Sequence, residues 1–135
     1  MGYSHYWTIR KEVPAKGWKA AIAACNKVIK NQKGMLADGF SEKAVAILPK
    51  EIWLNGVKPL DHETFFVKHE ELGEHNFCKT NGKPYDVVVT ACLAILWNAL
   101  PGYIEVSSDG GPGDWRMGVE LASSVLKTKL ANPLG

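Results

Sequence analysis

The stretch between Pro84 and Pro101-Gly102 constrains this chain most. Val88, Val89, Cys92, Ile95, Leu96 and Ala99 recur there at helical spacing and mark a buried stripe. A helix opened by Pro84 and ended by Pro101-Gly102 is apolar enough to be central. The rest of the chain must then supply the surfaces that enclose it.

Two further helices have an apolar side to offer. From Pro14 onward Trp18, Ala21, Ile22, Cys25, Val28 and Ile29 keep a helical period, and Gly34 is placed to end it. Asp114 starts another helix, with Trp115, Val119, Ala122, Val125, Leu126 and Leu130 on one side. Extended segments lie between them. Tyr3, His5, Trp7 and Ile9 alternate with Ser4, Tyr6, Thr8 and Arg10, as in a first strand. Ile52 to Leu54 runs into Asn55-Gly56 as strand and turn, Thr64 to Val67 returns beside it, and Tyr103 to Ser107 is a fourth strand. Met35 to Lys50 fits either a short strand or a helix end and is left unassigned. The order β-α-β-β-α-β-α predicts an α+β fold of two layers, a mainly antiparallel four-stranded sheet with three helices on one face. Trp18, Ile22, Val28, Val88, Val89, Ile95, Leu96, Val119 and Leu126 are its expected core. The 135 residues suit one globular domain spanning 1–135, without repeat or low-complexity linker.

Charge and cysteine usage narrow the partners. Sixteen basic against fourteen acidic residues leave a net charge of +2, and only Arg10 and Arg116 among the basic ones are arginine, so a nucleic-acid partner is not expected. Lys16, Lys19, Lys27 and Lys30 lie opposite the apolar side of the first helix, which a solvated outer face explains more simply than a polyanion contact. No run approaches the roughly 18 apolar residues of a membrane span, and Met1 to Arg10 lacks the order of a signal peptide. The expectation is a cytoplasmic protein with no membrane partner. Cys25, Cys78 and Cys92 are odd in number and without paired spacing, so they are read as thiols.

Polar and aromatic residues concentrate at three places that core packing does not require. The densest is Phe77-Cys78-Lys79-Thr80-Asn81-Gly82-Lys83-Pro84-Tyr85-Asp86, leading into the central helix. Donors crowding a helix start suit an anion such as phosphate, although a plain turn with Asp86 complementing the helix dipole explains the same residues equally well. Gly73 to Thr80 nearly meets the phosphate-loop pattern, but Cys78 replaces the second glycine and the helix starts later, which rejects a phosphate-loop nucleotide hydrolase; separately, no cofactor is expected. Cys78 beside Lys79 could act as a low-pKa nucleophile, or simply be a small half-buried residue. The second place is Asp61-His62-Glu63-Thr64-Phe65, where His62 and Glu63 adjoin but would point to opposite faces of a strand. The third is Ser107-Ser108-Asp109-Gly110-Gly111-Pro112-Gly113-Asp114-Trp115, a strand end running through a flexible turn to a helix start. An Asx-type turn with Asp114 as cap accounts for it equally well. His69, His75 and Cys78 lack zinc-type spacing, and no metal is expected.

Taken together, Gly2-Tyr3-Ser4-His5-Tyr6-Trp7, His62-Glu63-Thr64-Phe65, Phe77-Cys78-Lys79-Thr80 with Lys83-Pro84-Tyr85-Asp86, and Ser107-Ser108-Asp109-Gly110 with Asp114-Trp115 resemble an uncharacterised family of small bacteriophage and bacterial proteins. The resemblance runs over nearly the whole chain and brings no established activity. Where the family carries Ala-Arg this chain has Asn81-Gly82, which removes a bidentate anion clamp. What it implies is context: small phage accessory proteins act on host machinery or bind host signalling molecules, host defence signals among them, in the host cytoplasm.

The resulting expectation is a binding protein that sequesters a nucleotide-like or phosphorylated small molecule. Its site would draw on His5, Trp7, His62, Phe77, Cys78, Lys79, Thr80, Lys83, Tyr85, Asp86, Ser108, Asp109 and Asp114. Tyr6, Trp7, Phe77 and Tyr85 would stack, and Lys79, Thr80 and Lys83 would hold phosphate. Lys79 and Thr80 are expected at the N-terminus of the central helix, in a pocket shared with Asp109 and the aromatics of the first strand. The alternative is a small hydrolase or transferase with His5 or His62 as base, Asp86 or Asp109 orienting it, and Lys79 stabilising anionic charge. An inhibitor of a host protein, using exposed aromatics such as Trp53, is a third class. Binding leads because no nucleophile, base and orienting group stand together in the sequence. A homo-oligomer stays open.

Overall fold

The computed structural model describes residues 2–69 and 72–135. Strands β1 (Ser4–Ile9), β2 (Leu36–Asp38), β3 (Glu51–Gly56), β4 (Phe65–Lys68), β5 (His75–Lys79) and β6 (Ile104–Ser108) alternate with helices α1 (Ala15–Asn31), α2 (Asp86–Ala99) and α3 (Pro112–Leu126). A single 3₁₀ turn, Lys33–Met35, joins α1 to β2. The class is α+β, with three α-helices among the described residues. No helix among the described residues is long and apolar enough to cross a membrane.

The strands form two three-stranded antiparallel sheets, ordered β5-β1-β6 and β2-β3-β4, instead of one sheet of four. Two strands account for the difference. β5 occupies the free edge of β1, in the register His5↔Cys78, so the β3–β4 pair cannot dock there. β3 and β4 pair through Ile52↔Val67 and Leu54↔Phe65 and take β2 as their third strand. β5 was hidden in the sequence because it is an edge strand with only Cys78 turned to the core, while Phe77 is largely exposed. The chain also does not turn at Asn55-Gly56. β3 runs through Gly56, and Asn55 ties down the loop beyond it, its Oδ1 accepting from the Gly56 and His62 N–H groups.

The helical stripes explain the core. Val88 through Leu96 are all buried, which makes α2 the axis against which α1 and α3 pack. Trp18, Ile22, Val28, Val88, Val89, Ile95, Leu96 and Val119 are buried, and Leu126 is half-buried against the same core. Each large aliphatic side chain so enclosed contributes roughly 1.5–3 kcal/mol. Trp18 buries its ring while donating its indole N–H to the Lys50 carbonyl at 2.7 Å. Trp7 meets Phe65 edge-on at 5.3 Å and so joins the two sheets in one core.

β5 and β6 are both antiparallel to β1, and therefore parallel to each other. α2 is the crossover between them, and α3 follows β6 after a three-residue turn. The C-terminal ends of β5 and β6, the N-terminal end of β1 and the starts of α2 and α3 consequently meet at one end of the sheet. Segments distant in sequence converge there.

Candidate functional site

At that end lies His5, fully buried on the face of β1 that the helices cover. The pairing His5↔Ser108 sets the two side chains on the same face, and His5 Nδ1 lies 2.8 Å from Ser108 Oγ. On the other side of the ring, Nε2 is 2.6 Å from Asp86 Oδ1, from the first turn of α2. The same Asp86 oxygen accepts the hydroxyl of Thr80, which is also fully buried. The Asp86 side chain is 17% exposed. An ionised carboxylate only accepts, so Nε2 carries hydrogen and, in the neutral ring, Nδ1 is the acceptor for the Ser108 hydroxyl. Ser108 Oγ in turn accepts the Gly110 N–H at 2.9 Å. The result is a continuous chain, Thr80–Asp86–His5–Ser108–Gly110, drawn from three separate parts of the sequence.

Aromatic rings fix the imidazole from its flanks. Tyr3 and Trp115 both meet it edge-on with centroids 5.1 Å away. Burial raises the Tyr3 pKa, and the negative charges of Asp86 and Asp114 raise it further, so its hydroxyl stays a donor well above neutral pH. That hydroxyl lies against the Gly110 backbone, where a Cβ would stand 2.3 Å from it; glycine is required for this approach. Asp114 caps α3 by accepting the Gly111 N–H at 2.8 Å. Asp109 holds the sheet end, accepting the Ser4 N–H at 2.9 Å and the Tyr6 hydroxyl at 3.0 Å. A shallow cleft of about 220 Å³ opens beside the cluster, with Lys83, Asp86 and Asp114 among its lining residues.

The residues singled out in the sequence fall into three groups. His5, Thr80, Asp86 and Ser108 form the buried chain, and Lys83, Asp109 and Asp114 border it. Cys78 and Tyr85 form a second buried cluster under the start of α2, where the Tyr85 hydroxyl at 2.5 Å and the Cys78 thiol at 3.6 Å both donate to the Glu63 carbonyl. Burial pushes the Cys78 thiol up to about 12, with Glu63 adding to the shift, which is the reverse of an activated nucleophile. Burial likewise raises the Tyr85 phenol. Trp7, His62 and Phe77 stand apart: Trp7 is in the core, His62 is exposed in the β3–β4 loop, and Phe77 is on the outer face of its sheet.

The expected phosphate pocket at the central helix is not assembled. Lys79 is the last residue of β5 rather than part of a helix start, since α2 begins at Asp86. Its partner in register is Ser4, so its side chain leaves the sheet opposite Cys78 and packs against Gly2, whereas Thr80 turns inward to Asp86. The two donors therefore serve different faces. His69 donates to the Val13 carbonyl, His75 stacks on Tyr6 and the Cys78 thiol donates to the Glu63 carbonyl, so these three do not converge; among the described residues no set of three metal-ligating side chains does. Tyr3 and Trp115 are the site residues that sequence reasoning missed. The signal for Tyr3 was its position two residues before His5, on the same side of the strand.

No family model, curated protein or solved structure matches the chain. The reading of the site therefore rests on its geometry.

Proposed function

We propose that the protein is a small hydrolase or transferase in which Ser108 is the nucleophile, His5 the general base and Asp86 the group that orients it. The observation that carries this is the imidazole held between a hydroxyl at 2.8 Å and a carboxylate at 2.6 Å. The two ring nitrogens have exchanged the roles they hold in serine proteases, where Nδ1 faces the carboxylate; either nitrogen can take the hydroxyl proton. Attack by Ser108 Oγ on the substrate's electrophilic centre would pass its proton to Nδ1, Asp86 would offset the charge of the imidazolium, and the imidazolium would return that proton to the leaving group as the bond between it and that centre breaks. Thr80 keeps Asp86 in place. Tyr3, protonated and beside Ser108, offers an O–H donor to an oxygen that gains charge. The substrate is a nucleotide-like compound that presents hydroxyl or amino donors here, because Asp86, Asp109 and Asp114 accept such groups and repel bare phosphate.

A second reading keeps the same site and ligand class without turnover, as in a protein that sequesters a host signal. It is favoured by the Gly110 N–H, which occupies one of the two lone pairs of Ser108 Oγ and so lowers its nucleophilicity. The two are separated by incubating the protein with a panel of nucleotides and, in parallel, with a fluorophosphonate. Catalysis predicts new products and a phosphonyl adduct on Ser108, with loss of fluoride, that is absent in Ser108→Ala and His5→Phe. Recovery of a bound nucleotide unchanged, without the adduct, supports sequestration. Neither binding nor adduct would reduce the cluster to a structural network.

A further inference from the structure

A cavity of about 550 Å³ shares no residue with the His5 cluster or its cleft. It lies where the start of α1 meets the beginning of β3 and the end of β4. The register Glu51↔Lys68 brings those two strand ends together. Trp18 ties α1 to them through its bond to the Lys50 carbonyl, and His69, stacked on Trp18 at 5.1 Å and 9°, donates to the Val13 carbonyl at 2.6 Å. The floor is thus rigid and aromatic, and the walls are cationic. Lys16 and Lys19 come from α1, Lys50 from the approach to β3, and Lys68 from the end of β4, its ammonium resting over the Phe66 ring at 5.1 Å. Among the described residues Glu51 is the one carboxylate of the lining.

Four lysines around one concavity repel each other, and among the described residues none of them stands within ion-pair distance of a carboxylate. The helix that supplies two of them has no acidic residue in its first turn and no side-chain cap, so its dipole adds to the positive potential instead of opposing it. We propose that this cavity binds a small polyphosphorylated anion, with two or more linked phosphate groups. Lysine ammonium groups act as point charges suited to tetrahedral oxyanions, while the planar fork that selects carboxylates is missing because no arginine lines the site. The cavity is far larger than one phosphate, and its lysines come from three segments, which suits an extended anion rather than a single group. Lys27 and Lys30 lie on the same side of α1 but further along the helix, outside the lining.

The test is calorimetric titration of the full chain with inorganic tripolyphosphate, a nucleoside triphosphate, orthophosphate and a single-stranded RNA. Two variants of equal charge change are compared, Lys16→Ala/Lys50→Ala inside the cavity and Lys27→Ala/Lys30→Ala outside it. Tripolyphosphate should bind at least tenfold more tightly than orthophosphate, and the cavity pair should weaken it at least tenfold while the outer pair leaves it within about twofold. Tighter binding of the nucleoside triphosphate than of tripolyphosphate would make a nucleotide the source of the phosphates, and equal binding would make it free polyphosphate. Equal weak binding of all anions, equal losses in both variants, or preference for RNA with losses in the outer pair would overturn the proposal. Ser108→Ala should bind tripolyphosphate like the wild type, so failure here and failure of the acid–base reading are distinguishable.

Discussion

Replacing Asp86 by alanine is the sharpest probe of the buried chain. Two donors lose their acceptor: His5 Nε2–H at 2.6 Å and the Thr80 hydroxyl, both on side chains with no solvent exposure. A buried donor left without a partner costs about 1–3 kcal/mol. Two responses soften the loss. The imidazole can move its hydrogen to Nδ1 and donate to Ser108, and the Thr80 hydroxyl can rotate, so the sum falls at about 2–4 kcal/mol rather than at the upper limit. Asparagine keeps an oxygen where both donors point and loses the charge, which complements the start of α2 and strengthens both bonds; about 1 kcal/mol is expected for it. At roughly 0.3 kcal/mol per degree for a chain of this length, Asp86→Ala should lower Tm by about 7–14 °C and Asp86→Asn by about 3–4 °C. Urea denaturation at pH 7 with calorimetry measures both. A double-mutant cycle with His5→Phe should give a coupling of at least about 1 kcal/mol, because each residue's partner is the other. If Asp86→Ala falls within about 1 kcal/mol of wild type, or asparagine is as damaging as alanine, Asp86 does not hold the imidazole and the reasoning fails.

Burial raises the Cys78 thiol to about 12 from an ordinary value of 9.0 and pushes Cys25 in the same direction. Between pH 9 and 12 the unfolded chain therefore releases protons that the folded chain keeps; stability is intact below pH 9 and falls by up to about 1.4 kcal/mol per pH unit for each such thiol. Cys78→Ala should make that alkaline slope shallower, and an unchanged slope would refute the assignment. With the same thiols protonated and enclosed, an aromatic disulfide reagent at pH 8 should modify native protein far more slowly than urea-unfolded protein. Gly118→Ala tests the close approach of α3 to α2, since a Cβ there would stand 2.0 Å from Thr90 Oγ1 and 2.9 Å from the Ala91 nitrogen. The overpacking, about 1–3 kcal/mol, should outweigh the gain of about 1 kcal/mol in helix propensity, and part of the loss should vanish in a Thr90→Ala background; a stabilised Gly118→Ala would show that the helices can separate freely.

Elements whose burial repeats along the chain were legible in the sequence. The stripes of α1, α2 and α3 follow from side chains that must face one way, and the four strands with several core residues showed the same regularity. β5 did not, because an edge strand needs only one inward residue, and β2 did not, because three residues are too short to display a period. The division into two sheets depends on which strand takes the second edge of β1. No local pattern encodes that choice.

The site was legible as a set of residues and illegible as an arrangement. Thr80, Asp86 and Ser108 stood out because polar side chains crowded places where the core had no use for them, and His5 because a histidine on the inner face of the first strand needs a hydrogen-bonding partner or a chemical role. Their roles depend on register, however: His5 and Ser108 are 103 residues apart in sequence and meet only because β6 pairs with β1 with His5 opposite Ser108. One step of slippage would turn Ser108 to the outer face and bring Ser107 or Asp109 inward beside the imidazole. Several constraints hold that register at once. Asp109 accepts from the Ser4 backbone and the Tyr6 hydroxyl, and the Gly110 N–H is committed to Ser108. Residues that read as ligand contacts in the sequence thus hold the strand pairing on which the His5–Ser108 contact depends. The same logic separates Lys79 from Thr80, adjacent in the chain and assigned by the strand's alternation to opposite faces, so a donor cluster in sequence became one buried hydrogen bond and one half-buried cation on the other face.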